Sequence, residues 1–204
     1  LTLRAFLTRL IWWCVLPLFG LSVGLAIVHV RDVQDDHDRD AARVVKNATA
    51  TIEQFLSARI GALQILATSP LADEPQHWGE LYREASRFHA SFGSHVTFDD
   101  PRRHVRFHTA LPFPGLEMSL PRPQGRSAFE TAVVTGRPAV GDLFEGPVAN
   151  EPMLAIAVPG VRDGRVAFLM VTSIAARDYE RVLATVPTPA GWSLALQDST
   201  GRLV

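Results

Sequence analysis

Four histidines, His89, His95, His104 and His108, lie close together in the middle of the chain. Imidazole titrates nearest to neutral pH and is the commonest metal ligand, so both chemistries come into question. If His95–Phe98 and His104–Thr109 are strands, alternation puts His104, Arg106 and His108 on one face and Val105 and Phe107 on the other. Arg106 and His108 then form a donor pair suited to a carboxylate or another anion; the plain alternative is a solvated face. A zinc site would need three or four ligands at about 2.0–2.1 Å with supporting partners, which spacing alone does not supply. No metal is assigned, and pH sensing by the same rings rests on equally little.

Three further groups are candidates for binding. Asp142, in Val-Gly-Asp-Leu, offers an acceptor for a cationic ligand, or else caps a turn or pairs with an arginine. Thr172 and Ser173 interrupt an apolar run, where their hydroxyls either face a cavity or bond a neighbouring backbone group. The adjacent carboxylates Asp99-Asp100 and Asp35-Asp36 fall in a turn and on a charged helix face, where solvation explains them. GxSxG, P-loop, HExxH and GxGxxG patterns are all missing, so no catalytic residue and no cofactor is assigned. With a formal charge of −1 and no basic block, nothing points to nucleic acid. The one cysteine, Cys14, sits in the N-terminal apolar run, so the rest of the chain must hold together by packing.

That apolar run, Leu10–Val30, contains no formally charged residue. At about 1.5 Å per residue it is long enough to cross a bilayer core of about 30 Å. Arg4 and Arg9 precede it, which predicts residues 1–9 as a cytoplasmic tail and everything after Val30 as extracytoplasmic. The rival reading is a cleaved signal peptide, against which the run exceeds the usual 7–15-residue apolar core. Gly20 and Gly24, with Ser22 and Ala26 a step round, have the spacing that lets two helices approach closely, a candidate dimer contact. Pro17 predicts a bend.

From Asp32 to Thr68 apolar residues recur at steps of three or four, predicting a long helix. Its first half has a narrow seam, like a stalk or a two-helix contact; from Ile52 the apolar face widens to suit a domain core. Pro70 ends it. A second helix is expected over Gln76–Ser91, then a hairpin of His95–Phe98 and His104–Thr109 around Asp99–Arg102. Leu111–Gln124 is a proline-rich loop. Ser127-x-x-Glu130 and Gly136 bracket a short helix. Ala139–Phe144 follows, then strands Met153–Val158 and Arg165–Ser173 joined by Asp163-Gly164, and a helix over Ala176–Thr185. Both central strands are apolar at successive positions, so both sheet faces must be covered. Trp192–Val204 restarts a strand–turn–strand pattern and stops inside an apolar strand, which predicts a fragment or truncated product with a second, similar module starting near Pro189. The expected division is 1–9, 10–30, 31–187 and 188–204.

The order and spacing of these motifs resemble the double Cache family of bacterial extracytoplasmic sensors, PAS-like modules carried on a long membrane-rooted helix. The matching residues are Leu63-x-x-Leu-Ala-Thr-Ser-Pro70, Phe98-x-Asp100, Phe107-His-Thr109, Pro112, Gly115, Leu120-Pro121, Gly136-x-Pro138-x-Val-Gly-Asp142-Leu, Val158-Pro159, Asp163-Gly164, Gly191-Trp192 and Asp198-x-x-Gly201. The likeness is most specific to sensor regions that precede histidine kinases of the HWE and related classes. It implies an α+β fold in which the transmembrane helix continues into a stalk packed on an antiparallel PAS-like sheet. It also implies a small-molecule cavity on the Arg106/His108 face, a homodimer in the inner membrane and a catalytic output outside this chain. A chemotaxis transducer, a diguanylate cyclase or a non-sensory anchored interaction domain are the alternatives. Arg103 stands where the family usually has Gly, and His108 where Asn commonly precedes Thr109. The Tyr/Arg/Trp-Tyr pattern of the amino-acid-binding subset is missing, so the resemblance implies no amino-acid recognition.

Overall fold

Pro70 does end the long helix: Ser69 is extended, with φ −63° and ψ 131°, and its hydroxyl accepts from the Leu71 amide. The computed structural model of the protein describes residues 3–114, 123, 125–146 and 150–204; within the first helix, side chains are described at 19–22 and from 38 onward. That helix, α1, is Leu3–Thr68. The chain divides into two units, Leu1–Asn47 and Ala48–Val204. In the first, only α1 is described; Gly20 is exposed with nothing near its Cα, while Gly24 and most of Leu10–Val30 lie outside the described side chains. Among the described residues no helix is long and apolar enough to cross a membrane.

The second unit holds the rest: α2 (Trp78–Phe92), β1 (Val96–Asp99), β2 (Val105–His108), α3 (Ala128–Thr135), β3 (Ala139–Val140), β4 (Phe144–Glu145), β5 (Pro152–Arg162), β6 (Arg165–Ala175) and α4 (Ala176–Leu183). Local signals explain most boundaries. Gly93 closes α2 at φ 71°, its amide donating to the His89 carbonyl. Ser127 accepts from the Glu130 amide, and Gly136 ends α3 at φ 63°. Asp163 and Gly164 are both at positive φ, as a two-residue type I′ hairpin turn requires. The Ala139–Phe144 segment splits in two around Gly141–Leu143.

The sheet is antiparallel, in the order β2-β1-β6-β5-β3, with β4 also pairing β5. As the apolar strands require, both faces are covered. On one, Leu63 and Leu66 of α1 and Leu81, Ala85 and Phe88 of α2 pack on Phe98, Phe107, Ile156, Met170 and Ile174. On the other, Ala128, Phe129 and Ala132 of α3 pack on Ala157, Leu169 and Val171. Each large side chain so buried contributes about 1.5–3 kcal/mol.

One expectation about faces fails. Phe98 pairs with Phe107 but Asp99 pairs with Val105, leaving Arg106 as an extra residue. Such a bulge breaks the period-two alternation. Phe107 therefore meets Tyr82 of α2, with ring centroids 5.6 Å apart, while Val105 turns to the α3 face instead of the long helix.

Candidate functional site

The α3 face is only partly covered, because α3 is short. Beside it a cavity of about 300 Å³ opens over the sheet. Its floor comes from alternate residues of three strands: Thr97 on β1, Val171 and Ser173 on β6, and Ala155 on β5. Phe129 of α3 forms one wall. The Gly93–His95 link and His108 form another, and the ion pair of Arg177 with Glu151 stands at the mouth. A floor that mixes apolar Val171 and Ala155 with the hydroxyls of Thr97 and Ser173, and carries further polar groups at the edge, suits a small organic ligand.

The histidine wall has its own geometry. His89 and His95 stack with centroids 4.2 Å apart at 20°, and His108 lies 6.0 Å beyond His95. The Ala110 amide donates to His108 Nδ1 at 3.0 Å, so that nitrogen carries no proton. Burial, then the neighbouring imidazole, holds both His95 and His108 below the usual histidine pKa.

Of the sequence candidates, His108, Asp142 and Ser173 line this cavity. Arg106 does not, and the bulge is the reason. Its guanidinium is hydrogen-bonded to Asp100 at 3.0 Å and lies 5.6 Å from the Trp78 ring, on the α2 side of the sheet. Pairing Arg106 with His108 at one anion is thereby corrected. His104 likewise turns to Asp100, at 3.0 Å. Thr172 is buried on the helix-facing side, donating to the His95 carbonyl at 2.7 Å and sharing its oxygen with Ser94. Thr172 supports the wall from behind; Ser173 faces the cavity.

Asp142 lines the cavity, but its carboxylate is committed. Only 2% exposed, it accepts from the Arg126 amide (2.5 Å), the Ser199 amide (3.0 Å) and the Ser199 hydroxyl. In return Asp198 accepts from the Leu143 amide, and from Thr200 and Arg202 within its own turn. Burial alone would raise the Asp142 pKa, but the Ser199 and Arg126 donors outweigh it and lower it. Hydrogen bonds, that of Thr200 first, hold Asp198 down at about 2. The turn-capping alternative thus describes Asp142. Asp142→Ala is expected to cost about 1–3 kcal/mol by removing the acceptor of the part-buried Arg126 and Ser199 donors. It should also free the 188–204 segment for proteolysis, whereas an unchanged digestion pattern would contradict the arrangement. Because a depressed carboxylate loses its contribution as pH falls through its folded pKa, this clamp should loosen between pH 3.8 and about 2.

No protein-family model matches the sequence, and no curated protein matches it. Solved structures do match in fold. The ligand-binding domain of Pseudomonas fluorescens chemoreceptor CtaA in complex with L-serine superposes with a TM-score of 0.62 at 14% identity, over 83% of this chain and 72% of that one. The domain of Campylobacter jejuni chemoreceptor Tlp3 in complex with L-valine gives 0.58 at 13%, over 79% and 67%. That of Pseudomonas aeruginosa PAO1 amino acid chemoreceptor PctB in complex with L-Gln gives 0.59 at 15%, over 79% and 65%. The shared fold is that of these chemoreceptor ligand-binding domains. The chain spans about two thirds of the length of these chemoreceptor domains.

Within this fold three residues matter that were not among the candidate site residues. Arg103, at φ 72°, occupies the backbone region glycine favours, which accounts for the glycine usual there. Its side chain is 12% exposed, 5.2 Å from the Phe129 ring and bonded to Glu130 at 3.0 Å, at the cavity edge. Asp99, expected to be solvated in a turn, is instead the last residue of β1 and 0% exposed. It accepts from the Thr97 hydroxyl at 2.6 Å, while its Oδ1 has no partner. Arg59 of α1, 9% exposed, donates to the carbonyls of Phe55 (3.1 Å) and Phe92 (3.2 Å). The histidines do not converge on a point, and among the described residues no three His, Cys, Asp or Glu side chains are placed to hold a metal ion.

Proposed function

We propose that this chain is the extracytoplasmic ligand-sensing region of a membrane-bound signal-transduction receptor. The observation that carries this reading is the cavity of about 300 Å³ on the sheet face, in a fold shared with chemoreceptor ligand-binding domains. Leu10–Val30 is the anchor, with the N-terminus cytoplasmic and the residues after Val30 outside. Gly20 and Gly24 are the helix contact of a homodimer, and 188–204 begins a second module.

The ligand is a small molecule with an apolar part for the Val171 and Ala155 floor. Its polar groups meet His108, Ser173 and the Arg177–Glu151 mouth. The structural neighbours were solved with L-serine, L-valine and L-Gln bound, which makes amino acids the first compounds to try. Gly93–His95 follow Phe92, whose carbonyl Arg59 holds, so a shift in that wall is felt by α1. The ligand acts only as far as it prefers one of two packings over the other. The output is a histidine kinase or a chemotaxis transducer, and the chemoreceptor neighbours favour the second.

Thermal shift on the full chain in detergent, against the common L-amino acids and C2–C6 carboxylates, tests the reading. A sensor gains about 2.7 kcal/mol at a ligand concentration 100 times Kd, and the rise saturates as linkage requires. A flat response across the panel would count against it.

A further inference from the structure

We propose that the His89–His95–His108 stack makes the cavity wall acid-responsive, so that the receptor reads ligand and acidity at the same site. The inference rests on the cavity being the sensory site, and it concerns how that site is regulated.

The geometry leaves the stack little room for charge. Two imidazolium rings with centroids 4.2 Å apart repel, and a third ring 6.0 Å from the second extends the conflict. His89 is the exposed member, on the last turn of α2. His95 and His108 line the cavity and are half-buried, which favours their neutral forms.

The charged groups around the stack do not relieve this. From α4 come Arg177 and Asp178, and from the segment before β5 comes Glu151; Glu151 is taken up by Arg177. Farther along the cavity, Asp142 is committed to Ser199 and Arg126, and Arg103 is paired with Glu130. Among the described residues no carboxylate is hydrogen-bonded to any of the three imidazoles. His95 Nδ1 meets only the Thr109 hydroxyl, at 3.4 Å.

Protonation of His108 has a defined mechanical result. Its Nδ1 accepts from the Ala110 amide, and imidazolium has no acceptor, so the bond must break. The turn that bond holds also contains the Leu111 amide to His108 carbonyl bond, and the Leu111 carbonyl accepts from Tyr82 of α2 at 2.8 Å. Acid therefore puts positive charge on the cavity wall and loosens the turn at the end of β2 together. The charged wall favours anionic ligands, the neutral wall uncharged or zwitterionic ones.

The test uses the full chain in detergent micelles, with histidines labelled at Cε1 and followed by NMR from pH 8 to 4.5. His95 and His108 are expected to titrate below about 6.5, with His108 moving up toward that value in His95→Gln. His108→Asn keeps an acceptor where Nδ1 sits but cannot charge, so the protection of the Ala110 amide, its exchange rate relative to the intrinsic rate at each pH, should become independent of pH while the fold is retained. A His108 that titrates at about 6.5 and ignores His95→Gln overturns the inference and leaves the sensing reading standing. Repeating the ligand panel at pH 7.5 and 5.5 separates the two. The preferred compound should differ between the pH values in the parent chain but not in His108→Asn. A coupled titration with no compound stabilising the protein at either pH overturns the sensing reading and the inference together.

Discussion

Asp99→Asn is expected to melt higher than the parent chain, by an amount that grows with pH. Burial, the largest influence on this carboxyl, pushes its pKa from 3.8 up to about 7, against the lowering effect of the Thr97 hydroxyl. The folded state therefore binds more protons than the unfolded state across that interval, and stability falls as pH rises through it. At full ionisation the gap amounts to about 4 kcal/mol. Asparagine keeps an oxygen for Thr97 and cannot ionise. Melting curves of the two proteins should coincide near pH 4 and separate progressively up to about pH 8. At about 2–4 °C per kcal/mol for a chain of this size, the separation reaches about ten degrees. Parallel curves would show that this carboxyl ionises alike in the folded and unfolded states, so that burial does not raise its pKa. The histidines contribute in the opposite sense, since their lowered pKa values remove stability as pH falls, but they are common to both proteins and cancel in the difference.

The second large effect is expected at Arg59. Its guanidinium lies 3.6 Å from the centre of the Phe55 ring and 5.2 Å from that of Phe92. Its hydrogen bond to the Phe92 carbonyl meets the C-terminal end of α2, where a cation also answers the helix dipole. Burial lowers its pKa, opposed by Tyr179 and then Asp178. Arg59→Ala removes two charge-assisted bonds and two ring contacts, and is expected to cost about 3 kcal/mol. Arg59→Lys should recover little, because an ammonium cannot lie flat between two rings and reach both carbonyls. Chemical denaturation of the three proteins measures this; equal midpoints for Ala and Arg would refute it.

Where one residue type at one spacing dictates the backbone, the sequence was readable. Asp163-Gly164 could only be a tight hairpin, and Ser127 with Gly136 bracketed α3. The long apolar runs of β5 and β6 demanded cover on both faces. The candidate site was harder. Thr172 and Ser173 are neighbours on one strand, so alternation allowed only one of them into the cavity, but which one depends on register. The bulge at Arg106 depends on how β2 pairs with β1 past a turn with Arg103 at positive φ, and no single residue announces it. Asp99 sits in an Asp-Asp-Pro run that looks like a solvated turn, yet the first aspartate still belongs to the strand and points inward. Arg59 occupies a helix position whose burial is decided by the end of α2, which packs there from far along the chain.

The reciprocal hold between Asp142 and Asp198 bears on how this fold can be recombined with other domains. Each carboxylate also accepts from an amide of the other segment, Ser199 for Asp142 and Leu143 for Asp198, so each arrangement is completed from the other side. A junction near residue 187, the natural choice from sequence, would carry off Ser199 and Asp198 and leave Asp142 as a buried acceptor with the Arg126 amide but without its two Ser199 donors. Hybrids that transplant this unit should therefore take the stretch through Arg202 with it, or supply a graft that offers Asp142 the same two donors.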